Sequence, residues 1–260
     1  MQFETIIVSQ DGASFVITLN RPERRNAFSV QMMKEITQAC QSAEKDPTVR
    51  GIIITGGKKY FSAGADLNEA MAIRTTADGV AYMKNWEALN NSVEQLDKPV
   101  IAAIEGFCMT GGWEFVMACD IRIAAQNSTF ALTSSKIGTV PGAGGTQRLA
   151  REVGVSRTLE IMFSGDPIDA QKAERIGAVN QVVPVGGTLD AAKEIIKVYE
   201  KRAPLSLAYG KRAVRAGVQM DIASGIEFER FLVTAIYNTA DKNEGIGAFL
   251  EKREAKFTGR

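Results

Sequence analysis

The chain has 260 residues, 45% hydrophobic and 23% charged, and its 31 Lys and Arg against 30 Asp and Glu leave a formal charge of +1. That balance gives no electrostatic footprint for nucleic acid or an anionic membrane, and the composition is that of a folded chain rather than a disordered one. There is no histidine, which excludes Ser-His-Asp and Cys-His catalysis within the chain and metal sites that need imidazole.

Acid–base chemistry therefore falls to Asp, Glu, Lys, Tyr, Cys or backbone groups. Cys40, Cys108 and Cys119 form no C-x-x-C motif, so they are expected as reduced thiols in the packing. The length suits one large domain, or one domain with an appendage. No apolar run reaches the roughly 18 residues of a membrane-spanning helix. Met1-Gln2-Phe3-Glu4 lacks the basic-then-apolar pattern of a signal peptide. A soluble, cytoplasmic protein is the expectation.

Thr5–Val8 and Phe15–Leu19 flank Gln10-Asp11-Gly12, which predicts a hairpin. Ser29 can cap a helix running to about Glu44, with Met32, Met33, Ile36, Ala39 and Cys40 at helical spacing. The runs 51–56 and 99–104 are continuously apolar, as strands covered on both faces are. Between them a helix is predicted over roughly 80–96, and 68–80 reads as a loop that could wall a pocket. A short helix begins at Gly111-Gly112, and 121–125 is a third buried strand. This alternation reads as α/β with central parallel strands. Gly138 to Gly145 is a structured loop and Ala178–Val183 a late strand. From Pro204 onward only amphipathic helix is predicted, over 204–216, 221–238 and 242–253. Such helices need a core or another subunit to cover them.

Walker A, G-x-G-x-x-G and G-x-S-x-G patterns are all absent, so nucleotide hydrolysis, dinucleotide binding and serine hydrolysis have no support. Two strand-to-glycine junctions remain, 61–67 and 106–114. Each puts small residues where the chain leaves a buried strand for a helix, whose first amides have no internal partner. Two such N–H groups facing one oxygen would make an oxyanion hole. The alternative is that the glycines serve only tight turns. Glu114, three residues past Gly111 and among Trp113, Phe115, Val116 and Met117, must be paired or must work. The structural alternative is a salt bridge to Arg122. Trp113 either shapes a pocket or, more simply, fills core.

Together these residues resemble the crotonase superfamily of enoyl-CoA hydratases and isomerases. The matching pieces are Asn20-Arg21-Pro22 with Asn26-Ala27, Phe61-Ser62-Ala63-Gly64-Ala65-Asp66-Leu67, and Lys98 to Ala103. They continue through Gly111-Gly112 with Glu114, Ala118 to Arg122, Gly138 to Leu149, and Phe249 to Arg253. They occur in family order and cover nearly the whole chain.

The resemblance implies a spiral of ββα units with a helical C-terminal trimerisation region. Residues 1–200 would be an acyl-CoA-binding core, and 201–260 an oligomerisation region of a homotrimer or hexamer. The substrate would be an acyl-CoA thioester, with coenzyme A as part of the substrate and no separate cofactor or metal. The amides of Ala65 and Gly111 would hold the thioester oxygen. Ala63, Ala65, Asp66, Leu67 and Asn68 would pass along the CoA, and Arg24, Arg25 and Ala27 would lie near its nucleotide. Glu114 would be the acid/base.

The resemblance also marks a departure. Hydratases of the family carry a second glutamate, and alignment on Phe130 and Gly138 puts Ser134 at that position. A hydroxyl cannot deliver a proton as a carboxylic acid does, but it can orient water. Three readings follow: hydration through Glu114 with Ser134 positioning the water, double-bond isomerisation by Glu114 alone, or acyl-CoA binding with little catalysis. The hydratase-like stretch Pro141 to Arg148 and the hydroxyl run Thr133-Ser134-Ser135 favour the first.

Overall fold

A computed structural model describes residues 2–260. Strands β1 (Ile6–Asp11) and β2 (Ser14–Leu19) pair antiparallel, Ile6 opposite Leu19. Helix α1 (Val30–Lys45) follows, its first turn capped by the Ser29 hydroxyl, which accepts from the Met32 amide. Then come β3 (Gly51–Thr55), α2 (Leu67–Ala72), α3 (Thr76–Glu94), β4 (Val100–Ile104) and β5 (Phe107–Met109). Helix α4 (Gly111–Val116) leads to β6 (Ile121–Ala125) and β7 (Thr129–Ala131).

Beyond a one-turn helix at Thr133–Ile137 lie α5 (Gly145–Val153), α6 (Val155–Ser164), β8 (Ile168–Asp169), α7 (Ala170–Arg175) and β9 (Gln181–Val183). The chain finishes in helices: α8 (Thr188–Glu200), α9 (Pro204–Gly217), α10 (Ile222–Ile236) and α11 (Ala240–Leu250).

The main sheet has the order β1-β2-β3-β4-β6-β9, parallel from β2 onward. Its pleat explains the unbroken apolar runs. Ile52, Ile54, Val100, Ala102 and Ile104 face one core, with α1 and α3. Ile53, Ile101 and Ala103 face the opposite side, covered by Ala192 and Ile196 of α8. A second sheet, β5-β7-β8, stands beside the site.

Most predicted elements are present with ends displaced by a residue or two. Three differences have physical reasons. The 68–80 stretch, expected as a loop, contains α2 and the start of α3, because Asp66 caps the first and a Thr75–Asp78 capping box starts the second. The late strand begins only at Gln181, because the amides of Ala178 and Val179 turn back to the Ala173 carbonyl. The last helix stops at Leu250, and Lys252 takes a positive φ of 56°.

No helix among the described residues is long and apolar enough to cross a membrane. All three thiols are buried, and burial pushes Cys40 and Cys119 up to about 12 and Cys108 well above its ordinary value.

Candidate active site

The first junction is built by a loop that precedes it in sequence. Arg25 and Asn26 take left-handed φ values of 50° and 53°. This aims the buried Asn26 amide at the carbonyls of Gly56 (3.0 Å) and Phe61 (3.2 Å). The Ser62 hydroxyl donates to the Asn26 carbonyl at 2.7 Å and accepts from the Gly64 amide at 3.0 Å. Phe28 then pairs with Ala65 as a parallel bridge.

The amides of this loop can be counted one by one. Phe61 and Ser62 donate to Phe107 O, Ala63 to Arg25 O, Gly64 to the Ser62 hydroxyl, and Asp66 to Phe28 O. Ala65 alone in that run finds no acceptor among the described residues.

The second junction begins at Thr110, whose φ of 40° and ψ of −109° are unusual for a β-branched residue. Glu114 N closes the first turn of α4 onto Thr110 O, so the Gly111 amide is left outside the helical ladder. The two junctions touch. A Cβ on Gly111 would lie 3.3 Å from Ala65 N and 2.7 Å from the Trp86 ring. Only glycine lets α4 start this close to its neighbours.

Glu114 is 2% exposed. Its Oε2 accepts from the amides of Ala143 at 2.7 Å and Gly145 at 2.9 Å. Burial pushes its carboxyl above the ordinary glutamate value, against those two hydrogen bonds and the field of Arg148. Oε1 makes no hydrogen bond among the described residues. The expected alternative partner is engaged elsewhere: Arg122 donates to Ala178 O, Cys119 O and Glu152. A salt bridge therefore does not explain Glu114.

The hydroxyl run divides. Thr133 Oγ1 pairs with Thr110 Oγ1 at 2.8 Å, and exposed Ser135 donates to Met162 O at 3.0 Å. Ser134 is buried on the same turn, and its carbonyl, not its hydroxyl, takes the Thr139 amide. Two of the three hydroxyls thus satisfy neighbouring groups. Trp113 packs on Phe130, ring centroids 5.5 Å apart, and is a core residue.

The remaining residues singled out from the sequence surround the first junction. Asp66 is buried, caps α2 through the Asn68 amide and pairs with Arg21 at 2.9 Å. Burial would raise its carboxyl, but Arg21 and the Asn68 amide hold it below the ordinary value. Arg21 also donates to Ala27 O at 2.6 Å. Ala63, Leu67 and Asn68 are exposed, as are Arg24 and Arg25, whose side chains enter no ion pair among the described residues.

A cleft of about 700 Å³ runs between α3 and the 142–144 loop, with Val80, Met83, Trp86, Asn90, Gly142 and Ala143 on its walls. Asn90, Glu94 and Arg148 hold this wall through hydrogen bonds; Arg148 falls in the hydratase-like stretch, but the sequence assigned none of the three a role. Polar residues at helical spacing look like a solvated face, and only long-range hydrogen bonds distinguish these.

Residues 10–260 match the family described as enoyl-CoA hydratase/isomerase. The chain is 38% identical to a probable enoyl-CoA hydratase of Mycobacterium bovis, over the full length of both. It is 37% identical to a short-chain-enoyl-CoA hydratase of Clostridium acetobutylicum, covering 98% of this chain and 97% of that one. It is also 37% identical to a 2,3-dehydroadipyl-CoA hydratase of Escherichia coli, covering 98% and 99%. The crystal structure of an enoyl-CoA hydratase from Bacillus anthracis superposes with a TM-score of 0.93 at 35% identity, over 99% of this chain and all of that one. Likeness of sequence and of architecture over the whole length leads to one conclusion: the chain has the crotonase fold and belongs to the enoyl-CoA hydratase/isomerase family of enzymes.

Proposed function

We propose that the chain adds water to, or removes it from, an enoyl-CoA or 3-hydroxyacyl-CoA thioester. The unused amide of Ala65, beside the unused amide of Gly111, carries this reading. Both N–H groups would donate to the thioester oxygen and stabilise the negative charge it gains in the enolate. In the hydration direction, water bonds to C3 while its proton passes to Glu114 Oε1, and the electron pair moves to the thioester oxygen. Glu114 then returns the proton to C2. Ser134 would orient the water through its hydroxyl.

The acyl group would lie in the cleft beside Ala143. The segment Ala63 to Asn68 would follow the pantetheine and adenine, and the exposed Arg24 and Arg25 guanidinium groups suit the nucleotide phosphates. Asp66 is occupied by Arg21 and its capping role, so its contribution would come from the backbone.

Double-bond isomerisation is the second reading, favoured by the hydroxyl of Ser134 at a position where a second acid is expected. One carboxylate suffices to take a proton from one carbon and return it to another. Turnover of a panel of enoyl-CoAs in oxygen-18 water separates the two by mass. Gain of one labelled water supports hydration, and a shifted double bond without label sinks it. Tight acyl-CoA binding with no conversion across the panel leaves a binding protein.

A further inference from the structure

The contacts that hold Glu114 do not end at the 143–145 backbone. Arg148 Nη1 donates to Ala143 O at 3.0 Å, on the peptide unit following the amide that faces Glu114. Asn90 grips the same carbonyl at 2.8 Å. Arg148 is itself fixed by a two-pronged pair to Glu94 of α3, Nε to Oε1 at 2.7 Å and Nη2 to Oε2 at 2.6 Å. Glu94 Oε1 also receives Arg215 of α9 at 3.2 Å. Arg215 reaches on to Ala118 O and Asp120, each at 2.8 Å, at the far end of the α4 segment.

We infer that the Arg148–Glu94 pair is a positioning device for proton transfer at Glu114, and that Arg215 extends it into the C-terminal helices. This rests on the assignment of Glu114 as acid/base. The geometry explains why a half-buried ion pair is used here. A planar guanidinium can hold both carboxylate oxygens and a backbone carbonyl at once, which a lysine cannot. The loop is thereby fixed from behind, and its two amides fix Oε2 from the front. A displacement of about 1 Å at a reacting group can cost as much as a hundredfold in rate.

Arg148 is also the charged group whose field reaches the Glu114 carboxyl. From the other elements around it, Glu94 stands behind Arg148, Lys136 is tied outward to Asp166, and β5 offers only the protonated Cys108.

The test compares Arg148→Gln, Glu94→Gln and Arg215→Gln with Arg212→Gln. Arg212 lies on the same helix as Arg215 but pairs outward with Asp97. Steady-state kinetics are combined with infrared titration of the Glu114 carboxyl, assigned by subtracting the spectrum of Glu114→Gln. Arg148→Gln should lower kcat about 10–100-fold with KM unchanged and move the Glu114 titration to higher pH. Glu94→Gln should lower kcat without that upward movement. Arg215→Gln should act in the same sense more weakly, and Arg212→Gln should leave kcat alone.

If Arg148→Gln does not fold, Arg148→Lys keeps the charge and should still lose kcat. Unchanged kcat in folded variants overturns the inference. So does a loss of kcat in a folded variant that only tracks a lower melting temperature, with Glu114 titrating as in the parent protein. If instead Glu114→Gln remains active while Arg148→Gln moves the titration, the acid/base assignment fails and the positioning contact stands.

Discussion

Thr110 Oγ1 lies 2.8 Å from Thr133 Oγ1, and the Thr133 amide also donates to Thr110 Oγ1 at 3.1 Å. One hydroxyl thus ties the residue before Gly111 to the residue before Ser134. It also helps hold Thr110 in a backbone conformation that costs a β-branched residue roughly 1–3 kcal/mol. Thr110→Val keeps the shape and leaves the Thr133 amide unpaired. Urea unfolding should show a loss of about 1–3 kcal/mol, and turnover should fall. Thr110→Ser should restore both. Equal stability of the Val and Ser variants would remove the hydroxyl from the account.

Glu114→Gln should fold and bind acyl-CoA normally while losing about 10²–10⁴-fold in turnover. Near-normal turnover in a folded variant removes Glu114 from the chemistry.

The same substitution predicts a pH effect on stability. The folded carboxyl is raised above the ordinary 4.5 by burial. Its favourable contribution is therefore present in full below the unfolded value and is lost as pH rises through the folded one. Melting curves from mildly acid to neutral pH should show Glu114→Gln gaining on the parent protein as pH rises. A gap that stays constant, or moves the other way, counts against a raised carboxyl.

Gly145→Ala would place a methyl 2.8 Å from Glu114 Cγ and 3.0 Å from its Oε2. The carboxylate would have to leave its two amides. Turnover should fall at least as far as loss of precise orientation allows, about a hundredfold, with modest change in melting temperature. A crystal structure with Glu114 unmoved and full activity would refute the reading.

The hairpin, the three buried strands and the first long helix were legible because their apolar periods are long and unbroken. Strands β5, β7 and β8 were not, since two or three residues carry no alternation to read. Glu114 was legible as a carboxylate among apolar neighbours. Its supports were not: the Ala143 amide reaches Glu114 over 29 positions of chain, Asn90 reaches Ala143 over 53 and Arg148 reaches Glu94 over 54, and local pattern does not register contacts at that range. The hydroxyl run was legible only in part, for a related reason. Thr133 and Ser135 are consumed by groups distant in sequence, Thr110 and Met162.

The C-terminal helices predict assembly. Ile222 (80%), Phe231 (69%) and Phe249 (83%) are exposed in the single chain, more apolar surface than a solitary subunit usually presents. Sedimentation velocity should give a trimer or a hexamer. A monomer at micromolar concentration contradicts this, and removal of residues 204–260 should leave an insoluble product.

Trp86 presses its ring against the backbone at Gly111, is 3% exposed and is one of only two tryptophans, the other sealed behind Phe130. The molecule therefore carries its own optical gauge. An oxygen arriving between the Ala65 and Gly111 amides would alter the field at a single indole, so its emission should register ligand capture in stopped flow, without label, before any bond is made.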